Sequence, residues 1–257
     1  MRLRLPNLLD SRRGRLAAFF LLYVTEGIPL GFAATAVATQ LRRQGVGPAE
    51  IGAFVASFYL PWAFKWAFGP LVDVFGSERW GRRRGWILLT QLVMVATLLA
   101  TMTLRLPEQL ALFTAILLVH NSFAAMQDVA IDALAVSTLH ADERGLANGL
   151  MFAGASLGQM LGGSGVLFLL PFIGFQSSFI FVAGCLLAVT VFVVLPMREG
   201  ASPPRVLVAA GSKLIVNVAD TASAVGDHLV VSAGTLTGGA NLGLQPAALP
   251  FLYFGTL

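Results

Sequence analysis

The stretch LALFTAILLVHNSFAAMQDVAIDALAV, from Leu110 to Val136, decides the fold. It is long enough to cross roughly 30 Å of hydrocarbon at about 1.5 Å per residue. It also carries His120, Asn121, Gln127, Asp128 and Asp132 inside an otherwise apolar run. A buried charge at mid-bilayer costs on the order of 2.5–3.5 kcal/mol, so each acid here needs a reason. The reading is therefore a transmembrane helix with one face turned toward protein or water.

Five further runs surround it: Leu16–Leu41, Ile51–Val72, Trp86–Leu104, Ala147–Leu170 and Gln176–Leu195. Six spans predict an all-α membrane protein. Composition agrees. The chain has 257 residues, 56% of them hydrophobic and 12% charged, about half the charge of a soluble domain, roughly 25%. The mean hydropathy is +0.78. The first run is too long for a signal peptide, contains Glu26 and is followed by more spans.

The pI near 9.8 does not indicate nucleic acid, because the basic residues sit in short loops between apolar runs. Thirteen Lys and Arg fall on the side of the N-terminus and only three, Arg42, Arg43 and Arg105, on the other. That asymmetry predicts a cytoplasmic N-terminus. Residues 1–15 form a basic cytoplasmic segment, 16–197 the six-helix domain and 198–257 a cytoplasmic linker with an atypical or truncated tail. Cys185 is the single cysteine, which excludes a disulfide framework or a cysteine-based metal site within one chain.

Ionisable residues are spread unevenly. Spans one, two and four hold Glu26, Lys65, Asp128 and Asp132, while spans three and six hold none. Spans three and six can thus face lipid. Counted from the cytoplasmic ends, Lys65, Asp128 and Glu26 lie at roughly 10, 12 and 15 Å, so Lys65 can pair with Asp128 or Glu26. Asp128 and Asp132 at i,i+4 share a helix face. Two carboxylates this close resist ionising together, so one of them can hold and pass on a proton. The alternative is that the charges only tie helices together, and His120 likewise reads either as a proton carrier or as a helix–helix hydrogen bonder. An intramembrane aspartyl enzyme is disfavoured, since both acids are on one helix and Gly226-Asp227 lacks the expected surroundings.

Prolines follow or precede the charges: Gly27-Ile28-Pro29 after Glu26, and Pro61 before Lys65. Each removes a backbone donor, which a membrane helix tolerates beside a cavity or as an ordinary kink. Gly154, Gly158 and Gly162 recur every fourth residue, a stripe that lets another helix approach closely.

Two loops and three spans carry a resemblance. Gly69-Pro70-Leu71-Val72-Asp73 followed by Gly81-Arg82-Arg83-Arg84-Gly85-Trp86 resembles the cytoplasmic loop motif of the major facilitator superfamily. An acid at a helix end beside a dense basic loop can form a breakable charge latch. Asp142-Glu143-Arg144-Gly145 looks like its second partner. Glu26–Gly31, Leu60–Asp73 and Gln127–Asp132 are similar to the AmpG-like muropeptide permeases and to acetyl-CoA transporters, over about residues 16–196. The resemblance implies the N-terminal half of a major facilitator fold in the bacterial inner membrane. It implies import of anhydro-muropeptides driven by the proton gradient, with no other cofactor. It puts Glu26, Lys65, Asp128 and Asp132, with His120 and Gln127, on the substrate and proton pathway, and Asp73, Arg82, Arg83, Arg84, Glu143 and Arg144 in the gating loops.

Two departures stand out. Gln159 occupies the place of the proline in the antiporter motif of drug exporters, which disfavours an exporter. The superfamily builds its cavity between two six-helix halves, so a second half, a partner chain or self-association is expected. Another solute (a coenzyme A ester, a drug or a sugar) and an inactive half-transporter are the alternatives.

Overall fold

A computed structural model describes residues 7–77 and 79–200. The tail expectation for residues 201–257 lies outside them, as do residues 1–6. Among the described residues the chain is helical apart from turns and one isolated bridge between Ser77 and Gly81.

Helix α1, Arg12–Gly31, is capped by the Ser11 side chain, which accepts from the Gly14 N–H, so one orphan donor of its first turn is satisfied. Pro29 does not end the helix. The chain widens into a π-helical turn, Phe32–Val37, where the Phe32 N–H reaches both Ile28 and Pro29 carbonyls, and then continues as α2, Ala38–Arg43. The whole rod, Arg12–Arg43, is one candidate span.

The second span differs from its expected form. It is two helices, α3 (Pro48–Ala63) and α4 (Lys65–Val74), broken at Phe64. Pro61 cannot donate, and the backbone tightens around it: Phe64 N–H bonds to Pro61 O at 3.1 Å and Ala67 N–H to Phe64 O at 2.9 Å. Those are i→i−3 bonds, the 3₁₀ pattern typical of a strained or interrupted helix. Neither half alone is long enough to span, so among the described residues five helices are long and apolar enough to cross a membrane and a sixth path is interrupted.

The rest follow in order: α5 (Arg82–Thr101), α6 (Leu110–Thr138), α7 (Arg144–Met160) running through a π turn into α8 (Val166–Ile173), and α9 (Phe175–Val189) with a last π turn, Thr190–Val194. All four match the apolar runs in place, with ends moved by a few residues.

Helices α1 and α7 make the closest contact. A Cβ placed on Gly154, Gly158 or Gly162 would strike the carbonyl oxygen of Phe20, Val24 or Ile28. In the other direction, one on Gly27 or Gly31 would strike Ala155 or Gln159. Backbone meets backbone along both faces, which dispersion rewards and any side chain would prevent.

The core divides into two apolar clusters. One holds Ile28, Phe32, Phe54, Phe58, Leu98, Phe113 and Phe179. Its rings meet edge-on, Phe32 with Phe179 at 4.8 Å and Phe54 with Phe58 at 4.5 Å, the geometry ring quadrupoles favour. The other, nearer the basic loop, holds Phe19, Leu22, Ile87, Ile131, Leu134 and Met197. Between them runs a polar layer. Gln91 Nε2 donates to Thr25 Oγ1 at 3.3 Å, and Thr190 Oγ1 donates to Gln91 Oε1 at 2.6 Å. This chain of bonds ties α1, α5 and the end of α9 together. Spans three and six, which their lack of charge allows to face lipid, therefore also have an inward face. Their most apolar stretches are 44% buried, as much as that of span four, while span five is only 28% buried. Neutral polar side chains draw α5 and α9 inward without any charge.

At the basic end the chain is fastened to itself. Asn7 donates to the Arg198 carbonyl at 3.2 Å and accepts from the Arg198 N–H at 3.0 Å. Glu199 accepts from the backbone N–H groups of Arg83 and Arg84, placing an anion on the N-terminus of α5, where the helix dipole favours it.

Candidate functional site

Three helices bring the charged side chains together. Lys65 opens α4 immediately after the break at Phe64. Its ammonium forms an ion pair with Asp128 of α6 and lies 3.5 Å from Asp132 Oδ2. One turn of α6 separates the two acids, so one lysine reaches both. Lys65 Nζ also sits 5.9 Å from the ring centre of Trp62, within cation–π range. Asp128 and Asp132 are 2% and 7% exposed.

From α1, Glu26 lies within electrostatic reach of Asp128, Asp132 and Lys65. Its Oε2 is buried and receives no hydrogen bond from the described residues. Tyr23, three residues earlier on the same face, donates its hydroxyl proton to Asp132 Oδ1 at 2.5 Å. Sequence reading missed Tyr23. The available signal was its i,i+3 spacing from Glu26. Of the two expected pairings for Lys65, the ion pair forms with Asp128.

The other expected members are placed apart. His120 is about 12 Å along α6 from Asp128, against α5. Its Nδ1 is 2.9 Å from Thr97 Oγ1 and 3.2 Å from the Met94 carbonyl. Gln127 is wholly buried, and its amide makes no hydrogen bond to the described residues. No three His, Cys, Asp or Glu side chains among the described residues converge as metal ligands.

The loop residues expected to act in gating form two separate clusters. In the first, Arg83 pairs with Asp73 across the turn, Arg82 donates to the Asp73 carbonyl at 3.0 Å, and Arg84 donates to the carbonyls of Val194 at 2.9 Å and Leu195 at 2.6 Å. In the second, Arg15 of α1 grips Glu143 with two bonds, Nη2 to Oε1 at 2.6 Å and Nε to Oε2 at 2.9 Å, with Arg12 at 3.9 Å. Arg144, next in sequence, opens α7. The expectation that Glu143 partners the basic loop is thus corrected. Glu143 is buried against α1, where the bidentate fork of Arg15 is nearer and satisfies both oxygens. The hydrogen bonds from Arg15 hold the Glu143 carboxyl below the usual glutamate range.

The sequence matches the Major Facilitator Superfamily over residues 16–254. It is 28% identical over 186 residues to the putative transporter AmpG 4 of Rickettsia conorii, which covers 70% of this chain and 44% of that protein. It is 29% identical over 176 residues to the anhydromuropeptide permease of Escherichia coli, covering 67% and 35%. It is also 28% identical over 163 residues to an uncharacterized protein of Haemophilus influenzae, covering 63% and 38%. The chain spans less than half the length of these relatives.

Proposed function

The chain belongs to the Major Facilitator Superfamily, and from that premise we propose that it is one six-helix half of a proton-coupled importer of anhydro-muropeptides. The single observation that carries the reading is the charge balance of the site. Glu26, Asp128 and Asp132 share one cation, Lys65. Three ionised carboxylates with one ammonium would leave two uncompensated negative charges in a low-dielectric layer, which is costly. The cluster therefore holds protons at rest. Solute entry and the membrane gradient then decide when a proton leaves, and that coupling is what symport requires. No cofactor is needed beyond the proton gradient.

The muropeptide assignment is supported by the similarity to the anhydromuropeptide permease and by the agreement of the Glu26, Lys65 and Asp128 segments with that family. A second six-helix half, or a second copy, completes the cavity. The proposed location is the bacterial inner membrane, with the arginine-rich N-terminus in the cytoplasm.

The test is calorimetric titration of the purified protein with an anhydro-muropeptide, wild type beside Asp128→Asn, together with uptake into vesicles. We expect binding that weakens about tenfold or more in the variant and uptake abolished by a protonophore. Uptake indifferent to the protonophore would overturn proton coupling. Absence of binding by both proteins would overturn the muropeptide assignment for this chain.

A further inference from the structure

Asp132 differs from its neighbours in having a donor on each oxygen from a different helix: the Tyr23 hydroxyl from α1 on Oδ1, at 2.5 Å, and Lys65 from α4 on Oδ2, at 3.5 Å. Lys65 is closer to Asp128 than to Asp132. Without the tyrosine, Lys65 would be the sole donor to Asp132 among the described residues, and the two acids would compete for one ammonium. We infer that Tyr23 is a positioning residue: its hydroxyl holds Asp132 from the α1 side and so leaves Lys65 committed to Asp128.

The local architecture makes that hold rigid. The Tyr23 Cβ stands against α7, 3.3 Å from where a side chain on Gly154 would begin. The backbone of α1 is locked to α7 by the glycine contacts on either side of it, at Phe20 and Val24. The tyrosine therefore cannot follow Asp132 if α6 moves. A displacement of α6 relative to α1 lengthens the O–H···O bond, which weakens steeply once donor and acceptor leave hydrogen-bond range. Asp132 then turns to Lys65, and the ammonium passes from one acid to the other. The facing groups from all packed elements are Tyr23 and Glu26 on α1, Lys65 on α4, and Asp128 and Asp132 on α6. This inference deepens the transport reading by naming how helix position selects the partner of Lys65, and it is tested without solute.

Two measurements on the purified full chain decide it. The infrared band of the Asp132 carboxyl, a C=O stretch if it holds a proton and a carboxylate stretch if it does not, is identified by its disappearance in Asp132→Asn. It is expected to move in Tyr23→Phe, which keeps the ring and its packing, and to stay put in Tyr59→Phe, an exposed tyrosine. Melting temperatures of Tyr23→Phe, Asp132→Asn and the double variant give the coupling. The double variant is expected to melt no lower than Asp132→Asn alone. An unmoved band in Tyr23→Phe, or single losses that simply add in the double variant, would overturn the inference and leave Tyr23 as a packing residue. A wild type that moves no muropeptide would instead sink the transport reading, while the infrared band still decides for or against Tyr23.

Discussion

At the level of single residues, one ammonium, that of Lys65, serves two acids a turn apart on α6. Glu26, Lys65, Asp128 and Asp132 stand out because apolar surroundings make any charge conspicuous. Helical rise alone put Lys65, Glu26 and Asp128 at one depth, and the Lys65–Asp128 ion pair is found there. Tyr23 was invisible to that logic, since an uncharged aromatic residue in a membrane helix needs no explanation. Glu143 shows the converse. Its motif suggested a loop partner, yet rise and loop length say nothing about which arginine arrives first, and Arg15 took both oxygens. Because Arg15 lowers the pKa of Glu143 relative to an unfolded chain, the pair stabilises the fold above the ordinary glutamate range of about 4.3. That contribution fades as pH falls through the lower folded value. Glu143→Gln should therefore melt below wild type at pH 7, and the two melting curves should converge in acid below about pH 4.

Among elements, the sequence shows the spans well and their continuity poorly. Hydropathy averages over a window and cannot see that Pro61 forces two i→i−3 bonds and splits one span into α3 and α4. The glycine stripe was readable because its four-residue repeat matches a helix face, although the stripe did not say which helix it meets. Its partner is α1, through backbone carbonyls. Gly158→Ala should accordingly lower folded yield and melting temperature sharply, as a methyl group has nowhere to go between two backbones. Gly149→Ala, on the same helix with open space around it, should be neutral or slightly stabilising because alanine favours the helix. Equal losses in the two variants, read by size-exclusion profile and thermal melt, would refute the close-contact account.

For the whole molecule, what the sequence could not supply is the layering. Thr25, Gln91 and Thr190 are far apart in the chain and individually unremarkable, yet together they form the polar sheet between the two apolar clusters. Each of the threonines also bonds a carbonyl of its own helix, so removing Gln91 strands neither. Gln91→Leu should then cost only the two side-chain bonds, about 1–2 kcal/mol. That predicts a drop of several degrees in melting temperature, larger than for Thr97→Val, whose hydroxyl serves a single interhelical contact with His120.

The clasp between Asn7 and Arg198 has a consequence for engineering. The two ends of the described helical segment lie at a single point, joined by a reciprocal pair of hydrogen bonds. Neighbouring termini are the condition under which a chain can be re-cut and rejoined in a new order. A circular permutant that links residue 199 to residue 7 through a few flexible residues, so that Glu199 stays on the start of α5, and opens instead in the Arg105–Gln109 turn at the far end, would keep every described helix in place. The same proximity means that two copies written in tandem need no long connector to leave the first bundle, only one able to reach wherever the second begins.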